Sequence, residues 1–141
     1  CVPASSGSKE LHFIPGIWWC FFVPHSRHAT IDRTDVEACS ALKILASSPQ
    51  AGVYAVSTDQ GRQIFLMGHS EYDWDSLQNE YIRDKQAGLP IRQPENYYPG
   101  DDETQRPIVS WRSCANLLFS NWLNYFVYQE TPYDIQQIHA E

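Results

Sequence analysis

The chain is poor in positive charge, in closely spaced cysteines and in long apolar runs, and each shortage closes off a class of function. Ten Lys and Arg stand against seventeen Asp and Glu in 141 residues, for a formal net charge of -7. The cations are scattered, so no basic stripe is available to follow a nucleic-acid backbone, and no such partner is expected. No stretch approaches the roughly 20 apolar residues that span a bilayer, and no charged segment followed by an apolar run marks a secretory leader. The cysteines, Cys1, Cys20, Cys39 and Cys114, include no CxxC pair and are too sparse for a small secreted disulfide scaffold. The expectation is free thiols in a reducing compartment, in a soluble, cytoplasmic protein without a membrane partner. The chain opens at Cys1 rather than at a methionine, which reads as a fragment or processed piece.

What is present is the material of a folded domain. Hydrophobic residues make up 43% and aromatics 13%, including five Trp and eight Tyr, enough for one domain with a core. Residues 1 to 15, with Pro3, Gly7 and several serines, read as an unmatched or disordered end. Ile17 to Val23 is an aromatic-rich, strand-like run closed by Pro24. Leu42 to Leu45 and Val53 to Val56 read as short strands separated by a turn over 47–52. A second turn, Asp59-Gln60-Gly61, leads into a strand from Arg62 to Met67.

Asp73 then has the chemistry of a helix N-cap, and Gly88 that of the left-handed residue after a helix ending near Ala87. Trp74, Leu77 and Tyr81 fall at helical spacing and predict its buried stripe. Pro90, Pro94, Pro99 and Gly100 punctuate a long loop with an acidic tip, Asp101-Asp102-Glu103. A second helix is predicted from Ser110 to Tyr128, with Trp111, Leu118, Trp122 and Tyr125 as core positions rather than a cofactor box. The order of elements is α/β in flavour, with too few crossovers to complete a parallel sheet alone.

Chemistry concentrates where Ile64-Phe65-Leu66-Met67 stops at Gly68 and delivers His69, Ser70 and Glu71. An imidazole titrates near neutral pH and can take and return a proton. A carboxylate two residues on can hold the ring in one tautomer. Read alone, His-x-Glu after a strand also describes an ordinary exposed turn. Cys20, His25 and His28 fit no standard zinc spacing, and no metal is expected. Arg83 falls about half a helical circumference from Trp74, a solvated position paired with Asn79 or Glu80 by spacing.

Several blocks in order resemble a known family. Gly68-His69-Ser70-Glu71-Tyr72-Asp73 followed by Arg83, Pro24-His25-Ser26-Arg27, and Ser110-Trp111-Arg112-Ser113 running into Asn116 to Tyr125 resemble the C-terminal signature of the homoserine O-acyltransferases of methionine biosynthesis, the succinyl- and acetyltransferases. Asn96-Tyr97-Tyr98-Pro99 and Thr131-Pro132-Tyr133-Asp134 are similar to it as well, so the resemblance covers residues 16 to 138. It implies a class I glutamine-amidotransferase-like (flavodoxin-like) fold, of which residues 16 to 141 would be the C-terminal part. It implies acyl transfer from acyl-CoA to the hydroxyl of L-homoserine through a cysteine thioester. His69 would be the general base and Glu71 its partner. Ser26 and Arg83 would bind substrate, Arg83 gripping the homoserine carboxylate with its planar fork. Acyl-CoA would be a co-substrate and no cofactor is implied; family members are commonly homodimers.

The departures are as informative. The nucleophilic cysteine and a substrate-binding lysine lie upstream of anything that aligns here, and a base without its thiol forms no thioester. Ser70 stands where Pro is commoner, and Cys114 where His is usual. Two other functions stay open on these residues: a glutamine-amidotransferase-type half, because His-x-Glu recurs there, and a catalytically dead interaction or assembly fragment, because the thiol is missing.

Overall fold

A computed structural model describes residues 2–3, 20–58, 61–132, 134 and 137. Most of the ragged end expected for residues 1 to 15, residues 17–19 of the first expected strand, and Asp59-Gln60 of the second turn lie outside the described residues. Along the chain, β1 (Val2–Pro3) and β2 (Cys20–Phe21) precede α1 (Arg33–Ala38), and β3 (Leu42–Ser48), β4 (Gly52–Thr58) and β5 (Ile64–Leu66) follow. The helices α2 (Ser76–Gln86) and α3 (Arg112–Trp122) complete the order, and α3 runs on into a π-helical turn, Leu123–Tyr128. The architecture is a small α/β domain.

The strands β3, β4 and β5 form a three-stranded sheet in sequence order, with both pairings antiparallel. Val53, Tyr54 and Val56 suit a pleated surface through their β-branched and aromatic side chains. β4 is the central strand, and Val53 to Ser57 is buried throughout because both faces are covered. Phe21, Leu45, Ala46, Tyr54 and Ala55 pack with Leu118 of α3 in one cluster, with Cys114 and Phe126 against its margin. Val53 and Val56 pack with Val36 of α1 in another. A third cluster joins Leu77 of α2 to Tyr97, Tyr98 and Trp111, with Tyr72 against it.

The strands and both long helices lie near their expected places, with corrections in detail. The helix α2 does not start on Asp73. Its cap is Asp75, without a side-chain capping bond. The Asp73 carboxylate instead pairs with the Arg112 guanidinium, and the Asp73 N–H donates to Ser76 Oγ. Trp74 consequently falls before the helix and is not part of a buried stripe: it is 37% exposed, with the Arg106 guanidinium 4.6 Å from its ring centroid. Trp122 is likewise exposed, whereas Trp111 and Leu118 are buried as expected. The C-terminal end of α2 is as expected, with Gly88 at φ 71°.

Cys20 also departs from its expectation, being disulfide-bonded, while Cys39 and Cys114 are free. Spacing along a chain says little about which sulfurs meet in space. Among the described residues, no helix is long and apolar enough to cross a membrane.

Candidate active site

The segment after β5 is strapped on both sides. The Met67 N–H donates to the Tyr54 carbonyl at 2.7 Å, and the His69 N–H to the Pro24 carbonyl at 2.8 Å. Between them, Gly68 is buried against the chain that leaves β2. A Cβ there would lie 2.8 Å from Val23 Cγ1 and 3.0 Å from His25 Cε1. Gly68 is not among the residues with positive φ, so it serves close approach rather than a left-handed turn. One residue past His69, the buried Ser70 hydroxyl meets the phenol of Tyr54 at 2.7 Å.

The chain thus delivers His69 and Glu71 to the same side. His69 Nδ1 is 2.8 Å from Glu71 Oε1, with side-chain exposures of 35% and 58%. Such an exposed pair contributes little stability. Its consequence is orientation: Nδ1 carries the proton and donates it to the carboxylate, which leaves the Nε2 lone pair free to accept one. Nε2 lies 3.4 Å from the Ser26 carbonyl oxygen, which can receive an Nε2–H once the ring is protonated.

Two residues that the sequence did not single out complete the surroundings. The Tyr72 ring stacks on the His69 imidazole with centroids 4.3 Å apart and planes 15° from parallel. Its phenol donates to Glu80 Oε1 at 2.6 Å. Burial, followed by that bond to Glu80 and the charges of Glu80 and Glu71, pushes the Tyr72 phenol up to about 12, so it stays a neutral donor. Burial alone would raise the Glu80 carboxyl, but hydrogen bonds from Ser26 and Tyr72, with the charges of His69 and Arg83, outweigh it and hold Glu80 below its ordinary value. Glu80 Oε2 is shut from solvent without a hydrogen bond of full geometry. The only sequence signal for Glu80 was its spacing, one helical turn before Arg83.

Of the four expected site residues, His69, Glu71 and Ser26 are therefore together. Arg83 is at the margin. Its Nε donates to Asp84 Oδ1 at 2.7 Å rather than pairing with Asn79 or Glu80, and its side chain is largely exposed. Its charge still reaches the site, acting on Glu80 and Tyr72. His25 lies against Gly68, one residue before His69, with both ring nitrogens buried and without a hydrogen bond of full geometry. Burial first, then the charges of Arg27 and His69, lowers it to about 4, so it is neutral near pH 7.

A cavity of about 1000 Å³ opens elsewhere, among Phe22, His25, Arg27, Ile31, Tyr97 and Trp111, and none of His69, Glu71, Ser26 or Arg83 lines it. Among the described residues no three His, Cys, Asp or Glu side chains gather to hold a metal ion.

Fold and site together define a small α/β domain that presents an imidazole and its carboxylate at the end of an antiparallel sheet. A family model described as homoserine O-succinyltransferase matches residues 4–133. The chain belongs to that homoserine O-succinyltransferase family. It is 60% identical over 133 residues to a homoserine O-acetyltransferase of Brevibacillus brevis, covering 94% of this chain and 44% of the relative. It is 55% identical over 119 residues to a homoserine O-acetyltransferase of Acetivibrio thermocellus, covering 84% of this chain and 39% of that protein. The chain thus spans about two fifths of the length of these relatives.

Proposed function

We propose that this chain supplies the proton-handling part of a homoserine O-acyltransferase. In the complete protein, an acyl group moves from acyl-CoA, succinyl or acetyl, to the hydroxyl of L-homoserine in methionine biosynthesis. The reading places this chain as the C-terminal part of a class I glutamine-amidotransferase-like fold and the protein in the cytoplasm. The acyl-carrying cysteine belongs to the family's length that this chain does not span. What carries the reading is the Nδ1–Glu71 contact at 2.8 Å, with Nε2 turned to the Ser26 side, in a chain 60% identical to a homoserine O-acetyltransferase.

The cycle has two balanced halves. In the first, the cysteine thiol gives its proton to His69 Nε2 as its sulfur attacks the acyl-CoA carbonyl; the CoA thiolate leaves and takes that proton. In the second, the homoserine hydroxyl gives its proton to Nε2 as its oxygen attacks the thioester. The cysteine thiolate then leaves and is reprotonated. Glu71 stabilises the imidazolium formed in each half. Ser26 borders the hydroxyl's position through its backbone carbonyl. Arg83, turned from Asp84, offers its fork to the homoserine carboxylate.

The test supplies the rest of the family's length, as the full gene or in trans, and follows CoA release. Release that depends on homoserine and falls about 10²–10⁴-fold in His69→Ala supports the reading. Undiminished activity in His69→Ala removes it. Ammonia release from glutamine without response to homoserine would favour an amidotransferase instead.

A further inference from the structure

The contact between His69 and Glu71 does not by itself hold the base. Both groups are substantially exposed, and a single ion pair of that kind is weak and screened by salt. The second polar contact, from Nε2 to the Ser26 carbonyl, is long at 3.4 Å, and the χ2 torsion of a histidine is broad and roughly two-fold, so a ring tied this loosely exchanges between flipped states. A base that must present Nε2 to two successive proton donors needs a second restraint on the plane of its ring.

Tyr72 is built to supply one. It is held at separate points along its own length. Its backbone carbonyl accepts the Trp111 indole N–H at 3.0 Å, and its phenol donates to Glu80 at 2.6 Å. Its ring packs at the edge of the cluster of Leu77, Tyr97, Tyr98 and Trp111. The remaining face lies flat against His69, 4.3 Å away at 15°. That is far more order than a tyrosine in an exposed turn requires. Glu80, in turn, is anchored in α2 with Oε2 shut from solvent.

We infer that Tyr72 is a positioning residue for His69: its ring fixes the imidazole plane, so that Nδ1 stays on Glu71 and Nε2 stays toward Ser26. Its phenol, held by Glu80, carries that restraint back to α2. The inference rests on His69 being the base, but its test does not need the acyl chemistry.

The experiment is ¹⁵N and ¹H NMR of the His69 ring in the 141-residue chain, comparing the parent with Tyr72→Phe and Tyr72→Leu. Amide signals of β3 to β5 report whether each variant is folded. In the parent, the proton resides on Nδ1 and exchanges slowly. Tyr72→Leu removes stack and tether; the Nδ1 proton then exchanges roughly three- to tenfold faster, the change expected for one lost ring pair, and the two tautomers average. Tyr72→Phe keeps the stack, so the tautomer is retained with an intermediate exchange rate. A folded Tyr72→Leu with parental tautomer and exchange overturns the inference, as does a Tyr72→Phe indistinguishable from Tyr72→Leu. If Tyr72→Leu does not fold, Tyr72→Phe and Glu80→Gln decide: faster exchange in both supports the tether, and parental exchange in both overturns it. A ring held in this way within a completed protein that fails to acylate homoserine would retain the positioning role and remove the proposed reaction.

Discussion

The phenol of Tyr54 and the hydroxyl of Ser70 lie 2.7 Å apart, both buried, and join the central strand to the loop that carries His69. Tyr54 is the most deeply buried ring of the sheet, at 0% exposure, and burial pushes its phenol up to about 12. Ser70→Ala leaves that phenol without its partner, and the expected loss of stability is about 1–3 kcal/mol. Adding Tyr54→Phe removes the orphaned group, so the double variant should be more stable than the sum of the single losses. Urea unfolding of all four combinations measures the coupling.

Gly68 admits no side chain. Gly68→Ala would drive a methyl against Val23 and the His25 ring, at a cost of about 1–3 kcal/mol for overpacking. Removing bulk with Val23→Ala in that background should recover part of the loss. Denaturant midpoints of the single and double variants decide the matter, and an additive double variant would disprove the contact.

His25 makes stability depend on acid. Its folded value, about 4, lies below its ordinary 6.5 because burial penalises the charged ring. The unfolded chain therefore binds the extra proton between those values. The neutral ring's contribution is complete above pH 6.5 and is lost as pH falls from 6.5 toward 4. His25→Gln should flatten that part of a stability–pH profile, measured by chemical unfolding at closely spaced pH values.

The role proposed for Arg83 can be told from one in the chemical step. In the completed protein, Arg83→Lys keeps a charge but loses the planar fork. It should raise KM for homoserine about tenfold or more, the worth of one charged hydrogen bond, with kcat nearly unchanged. Steady-state kinetics with varied homoserine reads this directly. An equal fall in kcat with unaltered KM would place Arg83 in the chemical step instead.

Much of the framework was legible in the residues. Apolar β-branched and aromatic runs announce β3 to β5, and Gly88 announces the end of α2, because these signals are local. The contact between His69 and Glu71 was legible for the same reason, the residues being two positions apart. The short helix α1 (Arg33–Ala38) escaped although it is local, being too brief to show a periodic stripe; the other misses are features that close in space. Trp74 has a helical spacing from Leu77 and Tyr81 but precedes the helix, which is capped at Asp75, while the Asp73 carboxylate pairs with Arg112, far along the chain. Glu80 looks like a solvated helix charge until Tyr72 and Ser26 enclose it. Arg83 finds its partner at the adjacent Asp84, a choice that helical spacing does not anticipate. The disulfide at Cys20 belongs to the same group.

The antiparallel meander has a further bearing on how the site arises. β3, β4 and β5 are consecutive, so each pairing closes only a short loop and costs little chain entropy. Strand alternation makes register decisive: a slip of one residue would turn Tyr54 to the opposite face and strand Ser70 without its anchor. Assembly of the sheet in its correct phase therefore seats Ser70 on Tyr54 through neighbours in the chain, while the imidazole of His69 takes its final place only when the distant Pro24 and Ser26 carbonyls meet it.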